Sequence, residues 1–180
     1  MSQTPFPVTA LDPPPPTRVS GSYASTNLAD AYAVDLPDDA TLDPEALARF
    51  VFLNSPDWAK RLMQVRDGLV AGLGLKTAKQ LEDAGRVTPR RRVGIFRIYE
   101  KHSDEIVLGE DDRHLGFRIS LLRQPAGATS PPRLIVSTVV HCHNRLGRGY
   151  ILLIAPFHRL IVKACLRRAA RLGWPAHGAA

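Results

Sequence analysis

Three consecutive segments decide the fold: RLIVSTVVHCHN (133–144), RLGRGY (145–150) and ILLIAPFHRLIVKACLRRAARL (151–172). The first is rich in valine, isoleucine and threonine, which favour a strand. The last repeats apolar residues at spacings of three and four, the period of a helix. The two glycines between them indicate a tight turn. The chain is therefore predicted to end in a long strand followed by a long helix.

The terminal helix is predicted to begin near Gly149 or Tyr150 and to end at Leu172. Pro156 lies inside it and predicts either an interior kink or a second helix start. The predicted buried face of the helix consists of Ile154, Phe157, Leu160, Ile161, Ala164 and Cys165.

Cations recur every four residues along the same helix and predict a single basic stripe. Such a stripe is usually a solvated face, and cations near the C-terminus of a helix interact favourably with the negative end of its dipole. Its functional alternative is contact with an acidic protein partner or with anionic lipid head groups. The residues of this basic stripe are Arg159, Lys163, Arg167 and Arg171.

Upstream of these segments, patterns of period two predict the rest of an antiparallel sheet. We expect strands over residues 29–37, 93–100, 104–109 and 113–123. In the last of these, every second residue from Leu115 to Leu121 is apolar, which is typical of a half-buried strand. With the strand in 133–144, the sequence predicts about five strands.

Two helices are predicted between the first strand and the others, because two capping sequences stand there. Asp43-Pro44-Glu45 starts a helix that runs to Phe52, and Ser55-Pro56-Asp57 starts one that runs to Ala71. Residues 76–92 show little pattern and are where a missed strand would lie. The apolar stripe of the second helix consists of Trp58, Leu62, Val65, Leu69 and Leu73.

This element order predicts an α+β fold. A meander of antiparallel strands has an apolar face that must be covered, and the terminal helix is the only element long enough to cover it. We therefore expect a curved antiparallel sheet that grips the long C-terminal helix, with two short helices after the first strand. The expected organisation is a disordered proline-rich tail over 1–25, a single domain over 26–174 and a disordered C-terminus over 175–180.

Composition narrows the class of protein. The formal net charge of the 180 residues is +7, and residues 91–180 hold 15 Lys/Arg against 6 Asp/Glu. No nucleic-acid recognition motif accompanies this charge, so no nucleic acid is predicted as a partner.

The cysteines Cys142 and Cys165 stand in apolar patterns without paired spacing, which favours a reducing compartment.

No secretory signal or membrane span is predicted. The N-terminal segment lacks a basic start followed by an apolar run. The longest apolar run, over 149–166, is interrupted by Pro156, His158, Arg159 and Lys163, whereas a span needs roughly 20 mostly apolar residues. Together with the cysteines, these features predict a cytoplasmic protein.

Five segments carry a family resemblance: DWAKRLMQVRDGLVAGLGLK (57–76), VGIFRIYE (93–100), DEIVLGEDDRHLGFRISL (104–121), STVVHCHNRLG (137–147) and GYILLIAPFHRLIVKACLRR (149–168). Together they resemble an uncharacterised bacterial family, a domain of unknown function found alone or fused behind short-chain-dehydrogenase-like domains. The element order also resembles the helix-grip fold of the START and polyketide-cyclase-like superfamily. The resemblance implies a compact bacterial domain, associated with oxidoreductase modules, but no established reaction.

Three functions remain open. The first is binding of a hydrophobic or amphipathic small molecule between sheet and helix, with His114, Arg118 and Tyr150 orienting its polar end. The second is a cyclase- or hydratase-like enzyme that uses a cavity-facing His/Asp pair as acid and base, for which the sequence fixes no residues. The third is a non-catalytic partner of an oxidoreductase, docked through the basic helix.

The segment GEDDRHLGFR (109–118) concentrates three carboxylates, two arginines and a histidine. An Asp/His pair in it could act as a general base, and an arginine could anchor an anion. Adjacent acids between two strands are, however, typical of a solvated hairpin turn whose aspartates bond their own backbone. We favour the turn for the acids, and keep Arg118 and His114 as ligand-binding candidates.

Two further patterns have a structural and a functional interpretation. His141 and His143 share one face of a strand and could supply two metal ligands, although a hydrogen-bonding role on the outer sheet face is favoured. Residues 144–150 predict a tight turn into the helix, with anion binding through backbone N–H groups, Arg145 and Arg148 as the alternative. No metal or cofactor is predicted.

Overall fold

A computed structural model describes residues 7–12, 14–70 and 92–176, without the side chains of 65–70. Within these residues there are seven strands: β1 (Thr9–Leu11), β2 (Leu28–Asp35), β3 (Arg92–Val93), β4 (Phe96–Lys101), β5 (Glu105–Asp111), β6 (Leu115–Gln124) and β7 (Arg133–Cys142). The same residues contain the helices α1 (Pro44–Leu53), α2 (Asp57–Val70) and α3 (Arg145–Leu172).

The strands form one open antiparallel sheet in the order β1-β2-β7-β6-β5-β4-β3. The last strand, β7, lies in the interior of the sheet, with β2 on one side and β6 on the other. The predicted α+β class, with two short helices and a long C-terminal helix beside the sheet, is confirmed.

The helices cover one face of the sheet, here called the inner face. Apolar side chains that alternate along the strands point to it, and three of them, Leu108, Leu121 and Leu134, are fully buried. Leu47 of α1 and Leu166 of α3 pack into the same main cluster. Burial of each such leucine stabilises the fold by roughly 1.5–3 kcal/mol.

A second, smaller apolar cluster lies on the inner face beside the N-terminal part of α3. It consists of Leu28, Leu115, Val140, Cys142 and Ile151. The half-buried Phe117 packs against both clusters. The inner face therefore has two apolar regions rather than one continuous core.

Helix α3 begins four or five residues earlier than predicted, at Arg145. The cause is Asn144, whose side-chain oxygen accepts a hydrogen bond of 3.0 Å from the backbone N–H of Gly147 and caps the helix. The helix continues through Pro156 to Leu172.

The buried face of α3 was predicted partly wrongly. Phe157 and Leu160 are 42% and 58% exposed. The face that packs on the sheet is turned away from them and carries Ile151, Cys165 and Leu166. Apolar residues surround most of this helix, so the periodicity alone did not select the correct face.

Helix α2 also differs from its predicted stripe. Trp58 is 48% exposed, and the neighbouring Ala59 is buried instead. Leu62 is half-buried, as a stripe residue should be. The side chains of Val65 and Leu69, together with Leu73, lie outside the described residues, as do residues 76–91 of the region in which a missed strand was expected.

Part of the segment predicted as a disordered tail packs on the sheet. Strand β1 pairs with β2, and Val19 is 1% exposed against Val107 and Val139 on the outer face. The carboxylate of Glu105 accepts a hydrogen bond of 2.9 Å from the backbone N–H of Arg18. Residues 17–23 therefore cover a part of the outer face.

Candidate functional site

A group of polar side chains lies on the inner face under α3, and we call it the inner polar site. It consists of Asp30 and Tyr32 on β2, Thr138 on β7 and His158 on α3. Asp30 stands directly opposite Thr138 in the sheet. Because side chains alternate along a strand, Asp30 shares the inner face with Leu28 and Tyr32.

The carboxylate of Asp30 is the centre of this site. Its side chain is only 10% exposed, and its Oδ1 lies 3.3 Å from Nε2 of His158. Its Oδ2 is buried and has no hydrogen-bond partner among the residues that the structure describes, although Nε of Arg159 lies 3.8 Å away. A buried carboxylate oxygen without a hydrogen bond is costly, and such an atom marks a candidate site.

Two neighbours show the electrostatic effect of this carboxylate. Burial and the charge of Asp30 raise the pKa of Tyr32, which Arg159 partly opposes. Nζ of Lys163 lies 5.3 Å from the centroid of the Tyr32 ring. The site therefore combines one carboxylate, one imidazole, one phenol and two cations beneath the helix.

Aromatic side chains continue the inner face from this site toward the far edge of the sheet. Phe96 lies 5.0 Å from Phe52 and 5.9 Å from Phe117, ring centroid to ring centroid, both in edge-to-face geometry. All three rings are only partly buried. The inner polar site thus has an apolar, incompletely covered neighbourhood.

The model of a family described as a protein of unknown function (DUF2867) matches residues 22–165. The chain belongs to this DUF2867 family. The match confirms the predicted resemblance to an uncharacterised domain-of-unknown-function family, and it includes Asp30, His158 and the whole sheet except β1. Neither the comparison with curated proteins nor that with solved structures finds a match.

Of the ligand-binding residues predicted in this DUF2867 domain, Arg118 lies on the outer face. It contacts Asp111, Tyr99 and Tyr23, and we call these four residues the outer arginine cluster. Its guanidinium donates two hydrogen bonds of 2.9 Å to the Asp111 carboxylate. The guanidinium carbon lies 3.7 Å from the ring centroid of Tyr99 and 5.6 Å from that of Tyr23. Gly116 makes room for this cluster, since a Cβ there would lie 2.6 Å from Oδ1 of Asp111.

The other two predicted ligand-binding residues lie elsewhere. Tyr150 is half-buried beside the smaller inner cluster, on the opposite face of the sheet from Arg118. His114 lies in the β5–β6 turn, where its Nδ1 is 2.9 Å from Nδ2 of Asn144. The structure therefore does not bring the three together in one site.

The acidic segment behaves only in part as its structural interpretation predicted, since Glu110 and Asp111 belong to β5 and not to the turn. Asp112 accepts a hydrogen bond of 2.6 Å from the backbone N–H of Arg113, and its own N–H donates to the carbonyl of Leu115. This backbone bonding is typical of a hairpin turn.

The paired histidines lie at the end of β7 on the outer face. The His141 ring stacks on Tyr23 at 5.5 Å, and its Nδ1 lies 2.8 Å from the carbonyl oxygen of Ser25. His143 contacts the edge of the His141 ring. In the part of the chain that the structure describes, no three His, Cys, Asp or Glu side chains are grouped to hold a metal.

The residues predicted to contact an anion or a partner divide into two sets. Arg159 and Lys163 reach toward β2, where they contact Asp30 and Tyr32. Arg148, Arg167 and Arg171 are exposed on α3.

Sequence reasoning missed Asp30 and His158 as a pair, because 128 positions separate them. One signal was present: Asp30 is an acid at an inward position of the strand pattern LADAYAVD (28–35). A carboxylate at a core position of a strand is unusual enough to mark a candidate site.

The outer arginine cluster yields a prediction for alkaline pH. Burial and the hydrogen bond to Asp111 raise the pKa of Tyr99 to about 12, from an ordinary value of 10.0. The folded state thus holds the phenol proton more strongly, so the contribution of Tyr99 to stability is lost as pH rises from about 10 to about 12. In an ultraviolet phenolate titration, Asp111→Asn should lower the pKa of Tyr99, whereas Asp112→Asn should leave it unchanged.

Proposed function

We propose that this domain binds a small amphipathic molecule between α3 and the inner face of the sheet, with Asp30 and His158 holding its polar end. The observation that carries the proposal is the buried Oδ2 of Asp30, to which no described residue donates a hydrogen bond. A ligand that donates a hydrogen bond or carries a positive charge would satisfy this atom.

The surroundings of the site support an apolar body for the ligand. Phe117 borders both apolar clusters, and Phe96 and Phe52 extend the row of partly buried rings. Small-molecule sites are mostly apolar with a few convergent polar groups, and these residues provide that combination.

The element order supports the same proposal by analogy. A sheet whose last strand lies beside the strand that precedes the two short helices, with a long terminal helix against it, resembles the START-like helix-grip arrangement. That superfamily places ligands between sheet and helix. A fold alone does not determine a function, so the test is made at the residues of the inner polar site.

The test is native mass spectrometry of the freshly purified protein and of Asp30→Leu. The wild type should retain a small molecule that Asp30→Leu lacks. The free energy of unfolding of the ligand-free variant should stay equal or rise by about 1 kcal/mol, because a poorly paired buried charge has been removed. Arg159 is more than half exposed and can turn to water in the variant.

Asp38→Leu provides the matched control, because Asp38 is exposed outside the site. It should retain the molecule. Equal retention by wild type and Asp30→Leu would refute the assignment of the ligand to the inner polar site, and so would a wild type that never retains a molecule.

A second function, acid–base catalysis of the cyclase or hydratase type, is favoured by one observation. A carboxylate and a histidine stand within about hydrogen-bond distance, at 3.3 Å, as such a mechanism requires. In it, Asp30 would orient His158, which would exchange a proton with the substrate.

The same mass measurement separates hydration or dehydration from binding alone. For a hydratase, the molecule retained by His158→Gln should differ from that retained by the wild type by the mass of one water, because substrate accumulates. An unchanged mass in both proteins would favour binding without hydration or dehydration.

A further inference from the structure

The outward face of α3 carries an exposed apolar patch. Its members and their exposed fractions are Leu146 (40%), Leu152 (79%), Leu153 (61%), Phe157 (42%) and Leu160 (58%). Scattered apolar residues are common on protein surfaces, but five large ones on one helix form a contiguous patch, which marks an interaction surface.

The charges of α3 all have one sign. Its 28 residues include seven arginines and lysines and neither aspartate nor glutamate. Arg145 and Arg148 stand at the N-terminal end of the apolar patch, and the exposed Arg167, Arg168 and Arg171 follow its C-terminal end. The outward face is therefore apolar in its middle and cationic at both ends.

Helical geometry places leucines of the apolar patch and a late arginine on the same side of α3. Leu153 and Leu160 are two turns apart, and Arg171 follows Leu160 after three turns, at about 3.6 residues per turn. One flat surface could thus contact the leucines and the late arginines together.

The helix lies against the sheet on its other side. By length and composition alone, α3 is apolar enough to cross a membrane, yet only 17% of its most apolar 18-residue window is buried. Ile151, Cys165 and Leu166 hold its inner side on the sheet. The apolar residues that do not pack on the sheet therefore face outward, as they do in a helix that lies on a membrane surface.

We propose that the outward face of α3 docks on an anionic lipid membrane. The leucines and Phe157 insert among the acyl chains near the head groups, and the arginines contact lipid phosphates. An acidic protein surface would match the arginines but leave the leucines unmatched. A second copy of the chain would bring two sets of arginines close to each other, and like charges repel.

Vesicle co-flotation tests this surface. The wild-type protein should float with vesicles of equimolar phosphatidylcholine and phosphatidylglycerol, and should remain unbound with phosphatidylcholine alone. Arg167→Gln/Arg171→Gln should weaken partitioning roughly thirtyfold, given about 1 kcal/mol for each cation near an anionic surface. Leu153→Ser/Leu160→Ser should weaken it about tenfold or more.

The controls remove the same groups from other surfaces. Arg61→Gln/Arg113→Gln removes two exposed arginines outside α3, and Leu42→Ser removes an exposed leucine. The basic control should lose clearly less partitioning than the α3 variants, and the leucine control should float like the wild type. Circular dichroism should show all variants folded, because every replaced side chain is exposed.

Three outcomes would overturn the proposal. The first is no flotation with anionic vesicles. The second is equal loss in the α3 variants and their controls. The third is a dimer in solution that Leu153→Ser/Leu160→Ser converts to a monomer, which would assign the apolar patch to a second copy of the chain.

Discussion

Gly147→Ala is expected to lower the free energy of unfolding by about 3 kcal/mol. A Cβ at this position would lie 2.3 Å from the backbone oxygen of His114 and 3.4 Å from Cβ of Cys142. The first of these atoms belongs to the backbone and cannot rotate away. It also accepts a hydrogen bond of 2.9 Å from the N–H of His143, which the substitution would disturb.

Gly149→Ala is the matched control, two residues further along the same helix. Apart from its chain neighbours and the backbone of α3 itself, no described atom lies within 4 Å of a Cβ at that position. Since alanine favours a helix interior over glycine, this variant should gain about 0.5–1 kcal/mol. Urea unfolding followed by circular dichroism measures both. An equal loss of stability in both variants would show that helix α3 does not approach the β5–β6 turn so closely.

Glu105→Ala should be similarly destabilising, by about 3 kcal/mol. The carboxylate is 5% exposed and accepts a hydrogen bond of 2.5 Å from Oγ of Ser120 and one of 2.9 Å from the N–H of Arg18. Its removal leaves the buried Ser120 hydroxyl unpaired and detaches the segment that buries Val19.

Hydrogen exchange locates this effect. In Glu105→Ala, the backbone amides of residues 17–23 should exchange much faster than in the wild type, while α1 stays protected until global unfolding. Asp104→Ala serves as the control, because Asp104 is exposed and its bond within the described residues is made by its backbone carbonyl, which accepts from the N–H of Arg123. Unchanged exchange over 17–23 in Glu105→Ala would show that Glu105 does not hold this segment on the sheet.

Much of the fold followed from local patterns. The capping sequence Asp43-Pro44-Glu45 predicted the start of α1, and Asp43 caps it with a hydrogen bond of 3.1 Å from the N–H of Glu45. Alternating apolar residues predicted β6 and its buried face, on which Leu121 is fully buried. Such signals are reliable because backbone geometry links each residue to neighbours close in sequence.

The same patterns did not predict the residues of the inner polar site. Arg118 and Tyr150 were expected to serve one ligand but point to opposite faces of the sheet. Asp30 and His158, which do meet, belong to a strand and a helix far apart in the chain. Sequence periodicity assigns side chains to faces of one element, whereas a site depends on which faces of different elements meet.

This limit of sequence periodicity also explains why the buried face of α3 was predicted partly wrongly. The sequence by itself determined a long helix with a basic character, because charge and helical spacing are properties of the chain. Only the tertiary structure decided that Ile151 and Leu166 face the sheet while Leu153 and Leu160 face outward. The helix is apolar on both sides, so its rotation is fixed by packing against β2, β7 and α1 and not by its own pattern.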